Sequence, residues 1–335
     1  MEIYSVKING FTNPMGYLYD TLLCSWKVRG AAGKKQKNAS IKVATDDGLQ
    51  MIVYETNGAE LDSLGTKLSM KLAPYTRYQV SVTTDIGETV ESEVCWFETA
   101  KIGEPWSADW IGITENDSIH PEFRKLFNVS NKVKQARLYI CGLGLFEAYV
   151  NGKKVGNDVL APFINDYAEH TQYCTHDVTD MLSEENELLV WLGKGWYMGR
   201  FGLTDAAYGK DEYALIAELH LVYEDGRKEV SGTDTSWKYR GNIVRDSSIY
   251  DGEEQDYLYW EDKENPWRSA RRMEAPAKLV ERYSPGLFEM ETLPVKEVIH
   301  TPAGETVLDF GQNFAGMFEC TQSIPKGKKM KLEFA

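Results

Sequence analysis

Apolar and polar positions in this chain alternate with a period of two, and almost nowhere recur every third or fourth residue. SIKVATDDGLQMIVYET and RYQVSVTTDIGETVESEVCWFET place β-formers on one face around Asp-Asp-Gly and Asp-Ile-Gly turns. LFEAYVNGKKVG predicts a hairpin with Asn151-Gly152 at its tip, a pair suited to the positive φ values of a type I′ turn. ELHLVYEDGRKEVSG predicts a second, turning at Asp225-Gly226. VLDFGQNFAGMFEC reads as a strand carrying Leu308 and Phe310 on one face, a polar turn from Gly311 to Asn313, and a second strand. Many short strands with regular turns predict an all-β chain of consecutive β-sandwiches.

Breaks in the pattern divide the chain at residues 1–101, 102–285 and 286–335. In the first segment, LAPYTRYQVSV puts Leu72, Pro74 and Tyr78 before an alternating strand. This resembles a fibronectin type III corner, where the tyrosine bonds back to the backbone, and Trp26 is the expected core tryptophan. KIGEPWSADWIG is a joint: Gly103 and Pro105 interrupt the strands, and Trp106 and Trp110 can staple neighbouring domains. The joint and the self-contained strand set predict a leader that folds independently. The final fifty residues are strand-like but too few for a sandwich of about 100 residues.

The chain has 335 residues and a net charge of −14, with 9 Trp, 19 Tyr and 12 Phe. So acidic a balance argues against nucleic acid or an anionic membrane as partner, since both reward Lys/Arg patches. No apolar run reaches the ~20 residues of a spanning helix, and MEIYSVKINGF has no apolar signal core. Five cysteines without C-x-x-C spacing read as core thiols of a reducing compartment, so the cytoplasm is the expected location.

The strings ARLYICGLGLFEAYVNGKKVGNDVLAP, DYAEHTQYCTHDVTDML, LGKGWYMGRFG, SIYDGEEQD and LDFGQNFAG occur in an order that resembles bacterial α-L-rhamnosidases, glycoside hydrolase family 78. The resemblance covers essentially the whole chain. It implies a fibronectin-like leader, a jelly-roll (galactose-binding-like) rhamnosidase N-terminal domain at 102–285, and the start of a further β-sandwich at 286–335. It also implies an inverting hydrolase of terminal α-L-rhamnosyl groups whose catalytic carboxylates belong to an (α/α)6 barrel, absent from this chain. The expected partners are therefore L-rhamnose-containing glycosides and that barrel, and no catalytic residue is expected here. Met317, His170 and FINDY depart from the family's usual residues, which bears on ligand details rather than on membership.

Sugar recognition is the chemistry the residues support best. Asn157, Asp158, Asn165, Asp166 and Tyr167 lie in VGNDVLAPFINDY, and Trp196 and Tyr197 lie between glycines in GKGWYMG. An aromatic ring can cover a sugar's C–H face while amides and carboxylates orient its hydroxyls. Asp158 and Asp166 are candidate calcium ligands, since Ca2+ takes carboxylate and carbonyl oxygens; no cofactor is otherwise required. The bland alternative makes Trp196 a core residue and the Asx residues turn formers. The acidic run YDGEEQDYLYWEDKE offers Glu253, Glu254, Asp256, Glu261 and Asp262, read as a solvated face. The competing function is a freestanding, calcium-assisted rhamnose-binding module.

Overall fold

The computed structural model describes every residue except 32, 34, 115–118, 131, 204–211, 261–264, 322 and 335. It divides into two compact units, Met1–Leu287 and Phe288–Ala335. Helix is confined to single turns among the described residues: Thr179–Met181, Gly195–Met198 and Tyr257–Trp260.

The larger unit begins with a sandwich. One three-stranded antiparallel sheet joins Glu2–Ile8, Leu23–Arg29 and Thr66–Lys67. It faces a five-stranded sheet built on Asn38–Thr45 and Arg77–Asp85. The period-two pattern is realised directly: Tyr78, Val80, Val82 and Thr84 of Arg77–Asp85 point inward and their neighbours do not. Trp26, Ile41, Val43 and Phe97 fill the core. The Tyr78 hydroxyl accepts a hydrogen bond from the Ala73 N–H at 2.9 Å, the corner bond that its position predicts.

The second sandwich is larger. A six-stranded sheet centred on Glu185–Gly193 and Pro121–Asn128 packs on a seven-stranded sheet centred on Val133–Leu143 and Ala214–Tyr223. Phe123, Val190 and Leu192 from one sheet meet Leu138, Ile140, Leu215 and Leu219 from the other. The seven-stranded sheet is buried on its outer face too. Tyr139 and Cys141, which alternate with Leu138 and Ile140, join Trp110, Tyr173, Trp196 and Ile216 in a separate apolar cluster. Burial on both faces explains why ARLYICGLG reads as a nearly continuous apolar run. The Asn151-Gly152 tip has φ of 52° and 76°, as the type I′ assignment requires.

Buried charge ties the leader to the second sandwich, and the two fall in one compact unit. Glu98, 1% exposed, accepts from Arg77 Nε at 2.8 Å and from Arg137 Nε at 2.6 Å. Arg137 also pairs with Asp177 at 2.8 Å. At the joint, Lys101 Nζ lies 2.5 Å from Glu218 and 4.7 Å from the centre of the Trp106 ring. Glu218 also accepts from the Ser107 and Ala108 N–H groups and lies 2.9 Å from His220 Nε2. Burial opposes ionisation of Glu218, but the hydrogen bonds from His220 and Lys101 outweigh it and hold the carboxyl down at about 2. Trp106 and Trp110 pack at this joint, as their spacing suggests.

In the smaller unit, Glu297–His300 pairs antiparallel with Thr306–Asp309. The second strand expected after Asn313 does not form among the described residues. Gly311 turns the chain at φ 79°, its N–H donates to Asp309 Oδ1 at 2.7 Å, and Phe314 folds back edge-on to Phe310 at 5.4 Å. Thr306–Asp309 takes its partner from upstream in the chain instead.

Removing one member of a buried ion pair strands the other, at a cost of about 3–5 kcal/mol. Lys101→Met should therefore lower stability by that order in urea unfolding at pH 7, with one transition for residues 1–287. The pair's contribution is complete above the ordinary Glu value of 4.5 and is lost as pH falls towards 2. Two histidines act earlier. Burial, reinforced by Lys194, lowers His120 from 6.5 to about 4, and burial does the same for His176 against the opposing charge of Asp158. Both are neutral when folded and protonate more readily when unfolded, so stability falls as pH drops from 6.5 towards 4. Each should cost on the order of 1–2 kcal/mol between pH 7 and 5; urea midpoints at the two pH values, with His120→Gln and His176→Gln, measure this.

Candidate functional site

The residues expected to bind sugar do not assemble into an open site. Trp196 and Tyr197 sit in a buried single-turn helix, Gly195–Met198, rather than on a displayed loop. Trp196 packs edge-on to Phe163 at 5.7 Å, and Tyr197 on Tyr167 at 5.0 Å. The apolar outer face of the seven-stranded sheet offers these rings cover, and aromatic burial is worth more than display to solvent. Asn165 is buried, donates to the Phe163 carbonyl at 2.5 Å and accepts from Gln172 at 2.9 Å.

Asp158 is engaged by Arg282 at 2.5 Å, while Asn157 beside it is exposed. Asp166 closes its own turn, accepting from the Ala168 N–H at 3.2 Å. A calcium ion at Asp158 would first have to displace the guanidinium. Among the described residues, no group of three or more His, Cys, Asp or Glu is gathered to hold a metal. All five cysteines are free, four of them buried and Cys320 exposed.

A different pair of motifs does come together. LGKGWYMGRFG and SIYDGEEQD frame a polar cleft of about 550 Å³, lined by Lys194, Arg200, Asp246, Ser247, Asp251 and Glu253 among others. Strand Glu185–Gly193 ends at a glycine, and the helical turn after it delivers Lys194 and Arg200 to the open end of the sandwich. The opposite wall is a hairpin of Val244–Ser248 and Gly252–Gln255. It turns through Gly252 at φ 93°, a conformation suited to glycine.

Charge holds the two walls together. Arg200 grips Asp251 with a fork, Nε to Oδ2 at 2.9 Å and Nη2 to Oδ1 at 2.7 Å, and lies 4.6 Å from the centre of the Tyr250 ring. Ser248 Oγ adds a bond to Asp251 Oδ2 at 2.8 Å. Hydrogen bonds from Arg200 and then Ser248 hold the Asp251 carboxyl down at about 2. Lys194 Nζ lies 2.5 Å from Asp246 and likewise lowers that carboxyl. Behind the wall, buried His120 Nε2 lies 2.7 Å from Ser247 Oγ.

Glycoside hydrolysis needs one protonated and one ionised carboxyl across the scissile bond. Asp246 and Asp251 are both ionised near neutral pH and both face a cation of the same protein. That pair offers no protonated member; Glu253 and Glu254 line the same cleft. The sequence draws attention to Glu253, Glu254 and Asp256 but gives no sign of Lys194, Arg200, Asp246 and Asp251. The pairs span 52 and 51 residues, a distance at which no local pattern signals complementarity. Glu261 and Asp262 lie outside the described residues.

Three family models match in chain order. Residues 3–103 match the Rha78A-like N-terminal immunoglobulin domain, 131–291 the alpha-L-rhamnosidase N-terminal domain, and 299–335 the bacterial alpha-L-rhamnosidase concanavalin-like domain. An alpha-L-rhamnosidase of Alteromonas sp. is 28% identical over 99% of this chain. One from Streptomyces avermitilis is 30% identical over 70% of it. Among solved structures, the alpha-L-rhamnosidase from Dictyoglumus thermophilum superposes with a TM-score of 0.78 at 28% identity, covering 94% of this chain and 39% of that one. Consecutive β-sandwiches in this order are the N-terminal modules of a class of glycoside hydrolases. The chain belongs to the α-L-rhamnosidases of glycoside hydrolase family 78 and corresponds to their N-terminal β-rich portion. It spans 40% of the length of the Alteromonas relative and 24% of the Streptomyces one.

Because Trp196 is core, Trp196→Ala should cost about 3–5 kcal/mol of stability through the cavity it leaves. Thermal unfolding of the variant measures this. A melting temperature equal to the parent's would return the ring to the surface.

Proposed function

We propose that this chain serves as the ancillary β-region of an α-L-rhamnosidase that releases terminal α-L-rhamnosyl groups with inversion. The acid and base that cleave the bond lie in a helical barrel outside these residues. The β-region positions substrate and barrel and does not itself hydrolyse. The observation that carries this reading is the succession of three rhamnosidase family models along one chain, at 3–103, 131–291 and 299–335. The cleft supports the division of labour, since its two aspartates are committed to Lys194 and Arg200. Rate enhancements of even ~10⁶ need roughly 8 kcal/mol of transition-state stabilisation, which ionised, cation-paired carboxylates do not supply as proton donors.

The test is hydrolysis of 4-nitrophenyl α-L-rhamnopyranoside by the purified chain. Release of nitrophenol should not exceed buffer controls from pH 4 to 8. Turnover that disappears in Glu253→Gln or Asp256→Asn would assign the chemistry to this region and end the proposal.

A further inference from the structure

The hairpin wall of the cleft, Val244–Ser248 and Gly252–Gln255, is held from behind by an uncharged side chain. His120 stands just before strand Pro121–Asn128, is 2% exposed, and places its Nε2 2.7 Å from Ser247 Oγ. Its other ring nitrogen, Nδ1, is buried and has no hydrogen-bond partner among the described residues. The groups around the ring disfavour a charge on it. Lys194, on the helical turn, and Arg245, on the hairpin, both oppose protonation. Asp246 favours it, but that carboxylate is already paired with Lys194. From strand Ala214–Tyr223 and its approach, the ring meets the Tyr213 ring, 5.9 Å between centres.

An imidazolium has two N–H donors and needs an acceptor for each. In the closed arrangement Nε2 has Ser247 and Nδ1 has none, so protonation would leave a charged donor unpaired and out of water. Relief comes from whichever side of the ring yields first. The strand that follows His120 is core: it pairs with Glu185–Gly193 along its length, and Phe123 is fully buried. The hairpin is a two-stranded sheet of its own, and its links to Lys194 and Arg200 run through exposed carboxylates. Segments with few buried contacts open locally at a fraction of the cost of global unfolding.

We propose that His120 is an acid-released latch: its protonation frees the hairpin 244–255 from the sandwich and widens the cleft, while the core sheets stay folded. Burial, reinforced by Lys194, holds the closed imidazole at about 4 against an ordinary 6.5. Once the hairpin has moved and water reaches the ring, the value returns towards 6.5. The closed state keeps its full advantage above 6.5 and loses it as pH falls towards 4. Between pH 7 and 5 the ratio of open to closed hairpin should rise about 20-fold. Asp246 and Asp251 are both held below the ordinary carboxylate range and stay ionised across that window, so the ion pairs over the cleft do not titrate with the latch. The latch rests on this wall alone and is independent of the role proposed above.

The experiment is amide hydrogen exchange on the whole chain at pH 7 and pH 5, read as protection factors so that the intrinsic pH dependence of exchange drops out. Each pH is repeated in sub-denaturing urea. A local opening exposes little surface and responds weakly to urea, whereas global unfolding responds strongly. Hairpin amides 244–255 should be less protected than those of Val133–Leu143, be nearly insensitive to urea, and lose about 20-fold in protection from pH 7 to pH 5. His120→Gln, which can still bond Ser247 but does not titrate, should abolish that loss. His176→Gln should leave it intact. Ser247→Ala should lower hairpin protection roughly threefold or more already at pH 7, through the lost hydrogen bond, and keep the pH response. If His120→Gln melts early, the wild-type urea response and Ser247→Ala still decide. Three results would overturn the proposal: hairpin protection that does not change between the two pH values, an equal loss in His120→Gln, or hairpin amides that share the urea response of the core strands.

Discussion

Two carboxylates without solvent organise the larger unit. Glu98 and Glu218 are each about 1% exposed, and each is surrounded by donors from both sides of the joint between sandwiches. A charge so placed tolerates little change in geometry, because losing any donor leaves an ion in a medium that cannot solvate it. The leader therefore cannot swing as a bead on a linker would. The chain between the two sandwiches, with Lys101 and Trp106, is itself part of the packing. Its lysine is enclosed by Tyr75, Trp106 and Tyr139, with ring centres between 4.7 and 5.9 Å from Nζ.

This joint also explains the burial of the seven-stranded sheet on both faces. The inner face meets the six-stranded sheet, and the outer face is closed by aromatic residues on loops and by the leader's Tyr75. Once the outer face is apolar, every nearby ring is drawn to it. Trp196 and Tyr197 pack there, and the end of the sandwich is left to polar side chains. The polar cleft is thus what remains after the aromatics have been used elsewhere.

Much of this was legible along the chain, for local reasons. Asn151-Gly152 announced its turn because φ preferences are local, and Tyr78 announced its corner because its partner, Ala73, is five residues away. The alternation of Arg77–Asp85 revealed its inward face directly. Family strings identified what the chain belongs to. The site was less legible. Glycines around Trp196 suggested display, but burial depends on which sheet face lies opposite, and that is a tertiary fact. Lys194 and Asp246 carry no mark that they will meet. The Gly-Pro interruption after the leader reports a break in strand pairing and says nothing of the ion pairs that bridge it.

The hairpin that forms one wall of the cleft is a two-stranded sheet of its own, outside both large sheets. Among the described residues, backbone bonds to its surroundings hold it near its base, where the Asp256 N–H reaches the Ile243 carbonyl at 2.7 Å and the Asn242 N–H reaches that of His120 at 2.8 Å. Its tip is held across the gap by Arg200 and, lower down, by Lys194, in pairs whose carboxylates are 60% and 66% exposed. Exposed pairs weaken as dissolved ions crowd around them, over a screening length of about 8 Å at physiological strength. The gape of the cleft is accordingly set by the surrounding electrolyte more than by the β-scaffold: it works as a clasp whose spring constant belongs partly to the solvent.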